Sequence, residues 1–245
     1  MGILNNKVIL ITRATEFVGQ AICTSCNNEG ATVIAQDPKF SDNNILSGFI
    51  ANQPHIQTTP ETDPHTLIAR IISDHSRIDG LVPNDGYPAI RAGVENADMK
   101  DMRAGLENMV IEPFELIGAA TPHMKKHGSG RIVIPTSAAP YHGIPNYSMY
   151  CIGRGAQHSM IQALSKELAK NNISINGVGG NYIESPSYFS EEVLKNEDTK
   201  AKITSQIPLG RMGKPEEMAD VVTFLLSDKA GFITGHTVPV AGGWA

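Results

Sequence analysis

Three residues in the second half of the chain have the types and spacing for acid–base chemistry: Ser137, Tyr150 thirteen positions later, and Arg154 four beyond that. On a helix, positions i and i+4 share a face, which sets the Arg154 guanidinium beside the Tyr150 phenol. A permanent cation there favours phenolate and is expected to lower the tyrosine from its usual pKa of about 10, making it a candidate general base near neutral pH. Ser137 follows the apolar run RIVIP and is expected just past a strand, at the carboxyl edge where open α/β sheets build their sites. Read singly, each residue has a plainer account: a serine capping a loop, a half-buried aromatic, a solvated arginine. Their shared face and register favour reading them together.

A second set of residues lies near the N-terminus. Thr12-Arg13-Ala14-Thr15-Glu16-Phe17-Val18-Gly19 occupies the place of the glycine-rich phosphate loop of a nucleotide-binding fold, but two of its three glycines are replaced. The first such glycine normally permits the tight turn and the second lets backbone approach a pyrophosphate. Arg13 and Phe17 stand at those positions, so a guanidinium stem and a ring are expected where phosphates need open space. The scaffold of a dinucleotide enzyme is kept, and the cofactor is expected to be lost.

The elements that must position these residues follow from periodicity. Short apolar runs at Lys7–Thr12, Ala31–Gln36, Gly80–Val82, Arg131–Pro135, Ile173–Val178 and Thr237–Val240, with a poor one at His55–Thr59, predict strands. Helical spacing predicts helices over Phe17–Asn28, Asn43–Asn52, Pro64–His75, Met99–His127 with a bend near Pro113, Ser148–Lys170 and Pro215–Leu226. In Ser148–Lys170 the small residues Gly153, Gly155 and Ala156 permit close packing, and Gly179–Ser190 reads as an irregular, aromatic segment suited to covering a site. Seven alternations of strand and helix predict a single domain over residues 1–245, a Rossmann-like, doubly wound, seven-stranded parallel sheet with helices on both faces.

Composition excludes several functions. The chain has 245 residues, a net charge of -5 from 20 basic and 25 acidic residues, and no basic stripe, so nucleic acid is not an expected partner. No apolar run is long enough for a membrane span and the N-terminus has no signal-peptide core, which makes the cytoplasm the expected location. Three cysteines do not make a disulfide framework, and Cys23-Thr24-Ser25-Cys26 falls well inside a helix, away from the N-terminus where redox thiols sit. His123 and His127 have a spacing that could hold a metal, but Lys125, Lys126, Gly128 and Gly130 around them mark a helix end. No metal site is expected.

Ser followed by Tyr-x-x-x-Lys is the catalytic signature of the short-chain dehydrogenase/reductase family, which this chain resembles over nearly its whole length. The likeness includes the tail pattern Pro208–Glu217, Ile233-Thr234-Gly235 and Ala241-Gly242-Gly243. Two joint departures, Arg154 for lysine and Phe17 for glycine, resemble one offshoot, the halohydrin dehalogenases. Thr12, Phe17 and Gly19 match that group's first motif, and Ser137, Tyr150 and Arg154 its second. The resemblance implies cofactor-independent closure of vicinal haloalcohols to epoxides with release of halide and a proton, and the reverse opening of epoxides by azide, cyanide or nitrite. Arg154 would keep Tyr150 deprotonated, Tyr150 would take the substrate's hydroxyl proton, and Ser137 would hold that oxygen. Gly180, Asn181, Tyr182 and Ile183 align with the halide loop, with Gly180 in place of its usual proline, and Asp85 corresponds to an acid supporting that loop.

Phe17, Tyr87, Tyr147, Tyr188 and Phe189 are expected to line an apolar substrate pocket. Asp37 ends the second strand, where an acid often binds a dinucleotide's ribose, and reads here as a leftover turn residue. The resemblance also implies a homotetramer built as a dimer of dimers through the two long helices. In such relatives the C-terminus can reach a neighbour's pocket, for which Trp244, followed by Ala245, has a short reach. A nicotinamide-dependent alcohol dehydrogenase with a degenerate loop, and a noncatalytic binding protein on this scaffold, remain as alternative readings.

Overall fold

A computed structural model describes residues 2–185, 188–189 and 195–245. Seven strands, β1 (Val8–Ile11), β2 (Thr32–Gln36), β3 (Gln57–Thr59), β4 (Gly80–Val82), β5 (Gly130–Ser137), β6 (Ile173–Gly180) and β7 (Thr237–Val240), form one sheet in the order β3-β2-β1-β4-β5-β6-β7. Every neighbouring pair is parallel. Between the strands run helices α1 (Gly19–Asn28), α2 (Asn43–Asn52), α3 (Pro64–His75), α4 (Met99–Leu106), α5 (Glu112–His127), α6 (Ser148–Leu168), α7 (Glu197–Thr204) and α8 (Pro215–Leu226). One core, from Ile11, Ile22, Cys23 and Cys26 to Val222 and Leu226, lies on one face of the sheet. A second, from Leu10, Ile68 and Ile71 to Ile117, Ile132 and Ile161, lies on the other. Strands buried on both sides explain why they read as continuous apolar runs. The strand order reverses between β1 and β4, the position where such sheets open a crevice.

β5 and β6 extend beyond their expected ends. They pair without a break from Gly130 opposite Ile173 to Ser137 opposite Gly180. Ser137 is therefore the last residue of a strand and not the first beyond it, and it lies directly beside Gly180. Glycines in β6 permit this: a Cβ at Gly179 would lie 3.2 Å from the Ser137 carbonyl carbon. Helix α1 starts at Gly19, two residues later than predicted, because Phe17 adopts φ 45°, outside the helical region. Helix α7 was not foreseen in the sequence; none of its residues is buried, so no apolar period marks it.

The predicted bend near Pro113 is a π-turn over Glu107–Ile111 joining α4 to α5. Proline has no N–H, so the Met109 carbonyl, four residues earlier, loses its helical donor. The side-chain amide of Gln157, on α6, donates to that carbonyl at 2.8 Å. Gly153 lets α6 approach the same turn, since a Cβ there would meet the Met109 methyl. Helix α5 ends in the left-handed Gly128 with Lys125, Lys126 and His127 in its last turn, so the two histidines do mark a helix end. No helix among the described residues is long and apolar enough to cross a membrane.

Candidate active site

Ser137 is buried at the carboxyl end of β5. Its Oγ accepts the Ala139 N–H at 3.0 Å, which leaves the hydroxyl hydrogen to be donated elsewhere. Its carbonyl accepts from Nε2 of His158 at 3.0 Å. Burial holds the His158 ring below the ordinary histidine value, so the ring is a neutral N–H donor that fixes the serine's backbone.

Arg154 is 1% exposed. Its Nη1 donates to Asp85 Oδ2 at 2.6 Å and to Gln157 Oε1 at 3.1 Å, and its Nη2 donates to Asp85 Oδ1 at 2.9 Å and to the Tyr188 hydroxyl at 3.0 Å. Burial pulls its pKa down, but Asp85 and the two tyrosines outweigh that and keep it well above the ordinary arginine value. The guanidinium carbon sits 5.0 Å from the centre of the Tyr150 ring, in cation–π range. The predicted i,i+4 neighbourhood is therefore present, with the cation at the face of the ring. The Gln157 carbonyl also accepts from Thr136 at 2.6 Å, so the strand, the π-turn and the arginine are tied through one amide.

A cavity of about 300 Å³ is lined on its polar side by Ser137, Thr136, Tyr150 and Asn181 and on its apolar side by Phe17, Tyr147, Tyr188 and Phe189. Gly180, Tyr182 and Ile183 complete one wall. Tyr182 adopts φ 52°, a conformation a bulky residue rarely takes outside constrained sites. The buried Nδ2 of Asn181 has no acceptor among the described residues. Phe17 meets Tyr188 edge-on, with ring centres 5.1 Å apart. Trp244 packs at 4.9 Å from His142 and 6.2 Å from Tyr182 of its own chain, at the rim of its own pocket.

Two expected roles are corrected. Asp85 does not support the Gly180–Ile183 loop: its carboxylate is taken by Arg154, by Gln157 at 3.3 Å and by the Tyr87 N–H at 3.3 Å, and it lies outside the cavity lining. The Tyr87 ring is also outside the cavity, because its hydroxyl donates to the Asp101 carbonyl at 2.8 Å and its edge packs on Gly105. Pro88, Ala89 and Ile144 line the cavity in its place. Gln157 and His158 were missed as well, although they continue the polar face begun by Tyr150 and Arg154. Of the aromatic segment Gly179–Ser190, residues 186, 187 and 190 lie outside the described residues.

Arg13 and Phe17 both take φ 45°, so the loop keeps the left-handed backbone of the glycines they replace. Arg13 does not project across the turn as expected, because its Nη2 pairs with Glu112 on α5 at 2.6 Å. Asp37 is no leftover: at 1% exposure it accepts the N–H and hydroxyl of Thr15 and the N–H of Lys39. Cys23 and Cys26 are fully buried, which pushes the Cys26 thiol up to about 12 and Cys23 well above its usual value. No group of three His, Cys, Asp or Glu residues that could hold a metal is present among the described residues.

Comparisons with known proteins give reductases by sequence and dehalogenases among the solved structures. A family model described as enoyl-(acyl carrier protein) reductase matches residues 14–245. Among curated proteins, the 3-oxoacyl-[acyl-carrier-protein] reductase FabG of Thermotoga maritima is 32% identical and covers 98% of both chains. Among solved structures, one titled a dehalogenation enzyme is 42% identical with a TM-score of 0.96, covering 99% of this chain and 100% of that one. A halohydrin dehalogenase bound to ethyl (2S)-oxiran-2-ylacetate is 29% identical with a TM-score of 0.92, covering 97% and 96%.

Proposed function

The chain belongs to the short-chain dehydrogenase/reductase family, and from that premise we propose that it is a halohydrin dehalogenase that works without a nucleotide cofactor. It closes vicinal haloalcohols to epoxides, releasing halide and a proton, and in reverse opens epoxides with small anions such as azide, cyanide or nitrite. One observation carries this reading: Ser137 and Tyr150 face a cavity that the paired Phe17 and Tyr188 rings help to close. Acid–base groups are kept, and the space beside them holds aromatic carbon. The two dehalogenase structures support the same reading.

The residues present do not fit a dinucleotide. Phe17 stands where a loop glycine would let a pyrophosphate approach backbone. Asp37, which would meet a ribose, has both carboxylate oxygens engaged by Thr15 and Lys39.

In the forward direction Tyr150, as phenolate, takes the proton of the substrate hydroxyl while Ser137 donates its own hydrogen to the same oxygen. The alkoxide attacks the adjacent carbon, the carbon–halogen bond breaks, and halide leaves with the bonding pair. Nucleophile and leaving group share one molecule, so holding them in line supplies much of the rate. The unpartnered Asn181 amide and the constrained Tyr182 backbone form the wall best suited to a weakly held halide.

The exposed Ile111 at the π-turn, Phe114 on α5 and Ile152 on α6, and the exposed Leu209 and Phe232 elsewhere, suit a tetramer of paired dimers, which light scattering would test. Free cysteines suit a reducing, cytoplasmic setting.

The sequence relatives favour a second reading, a nucleotide-dependent reductase. Halide release from a vicinal bromohydrin, followed beside NADH and NADPH fluorescence titrations, separates the two. Nucleotide binding without halide release would overturn the dehalogenase.

A further inference from the structure

The guanidinium of Arg154 places no N–H on the Tyr150 oxygen. Nη1 is taken by Asp85 and Gln157, Nη2 by Asp85 and Tyr188, and Nε is buried without a partner among the described residues. The arginine therefore touches Tyr150 through the ring face alone. Its neighbour Tyr188 also lies against Tyr150, edge to face with ring centres 6.4 Å apart, and the two phenol groups interact electrostatically. The Tyr188 hydroxyl accepts from Arg154 at 3.0 Å and donates to the Tyr87 carbonyl at 3.3 Å.

A hydroxyl has one proton to give. At 3.3 Å the bond to Tyr87 is long for an O–H donor, whose usual distance is about 2.7–2.8 Å. A phenolate on Tyr150 offers the stronger, charge-assisted acceptor. We propose that Tyr188 is a positioning residue through which Arg154 stabilises the Tyr150 phenolate, its proton turning from the Tyr87 carbonyl to the Tyr150 oxygen when Tyr150 ionises. This rests on the dehalogenase reading for its kinetic consequence but not for the hydrogen-bond exchange itself.

The groups around Tyr150 are consistent with this assignment. On its own helix Arg154 lies at the ring face of Tyr150, and Tyr188, from the segment after β6, meets its ring edge. Tyr147 and Tyr182 line the same cavity, while Asp85, from the segment after β4, and His158, on α6, act on Arg154. Burial, then the neighbouring Tyr150, push Tyr188 well above the usual tyrosine value, so it stays protonated as a donor. Asp85 is neutralised by its two-pronged bond to Arg154, which leaves Tyr188 as the outward path for that cation's polarisation.

The test is the pH dependence of kcat/KM for halide release from a bromohydrin in the wild type and in Tyr188→Phe. Loss of the donor is expected to move the acid limb up by about one pH unit, a loss of about tenfold at neutral pH, with the two profiles meeting on the alkaline plateau. A ring-fluorinated tyrosine in place of Tyr188, a stronger donor of nearly the same shape, is expected to move the limb down, and it decides the matter if the phenylalanine variant does not fold. A loss of equal size at every pH, or an unmoved limb, would overturn the proposal. Tyrosinate absorbance, titrated against Tyr150→Phe as the blank, follows Tyr150 ionisation without turnover. If the wild type releases no halide the dehalogenase reading fails, whereas an unchanged Tyr150 titration in Tyr188→Phe sinks the bridge.

Discussion

Asp37 holds Thr15 by two bonds at once, accepting its backbone N–H at 2.9 Å and its hydroxyl at 2.7 Å. An acid at the end of the second strand of this fold ordinarily faces a ribose, and here it braces the Thr12–Gly19 loop from beneath. Replacing it leaves three partly buried donors on Thr15 and Lys39 without their acceptor, at about 1 kcal/mol each. Asp37→Ala is expected to lower stability by about 2–4 kcal/mol in urea unfolding, with Thr15→Val losing less because its N–H bond remains. Equal stability of wild type and Asp37→Ala would show the brace to be idle.

The same brace decides what Phe17→Gly does. Glycine relieves the left-handed strain of φ 45°, about 1–2 kcal/mol, but removes a ring packed on Tyr188, a loss of about 3–5 kcal/mol. The variant should be less stable and should still not bind NADH, because Asp37 stays engaged with Thr15. The Arg13–Glu112 pair on the far side of the loop is unaffected. Micromolar binding in a fluorescence titration would contradict this.

Tyr150→Phe keeps the ring that faces Arg154 and removes only the oxygen. Halide release should fall at least about a hundredfold, the scale of a lost general base, while the melting temperature stays close to that of the wild type. Turnover that survives this change would remove Tyr150 from proton transfer.

Burial keeps Cys23 and Cys26 as thiols, with Cys26 held up to about 12. The thiolate is the reactive form, so both should resist alkylation throughout the pH range in which the protein is folded. Cys151, half-buried on α6, is expected to be the first labelled under native conditions, and all three cysteines should label in urea, as read by intact mass. Early labelling at Cys23 or Cys26 would point to opening of α1.

Local spacing made the helix bearing Tyr150 and Arg154 readable, together with the plugged loop, since both depend on residues within one turn of each other. Strand ends were less readable: the Ser137–Gly180 register is fixed by pairing between segments far apart in the chain. The role of Asp85 was misread for the same reason, because its partner Arg154 lies 69 residues away and no period connects them. Pro113 showed that a helix would be disturbed. That the freed Met109 carbonyl would be met by Gln157 is a tertiary fact.

The Asp85–Arg154 pair gives the last test, because both side chains are only 2% exposed. Bringing both ions out of water is costly, and the pair repays it only through complete bonding, here two N–H donors on two carboxylate oxygens. Removing one partner leaves an unpaired buried charge, which costs about 3–5 kcal/mol. Asp85→Asn is thus expected to unfold about 10 °C earlier, at roughly 2–4 °C per kcal/mol for a chain of this size. Asp85→Leu combined with Arg154→Met removes both charges, so its loss should be smaller than that of Asp85→Leu alone, while halide release is lost. Calorimetry of these variants and of Arg154→Met alone checks the sign of the coupling. A double variant as unstable as the sum of its parts would mean that packing, and not charge, holds this corner of the site together.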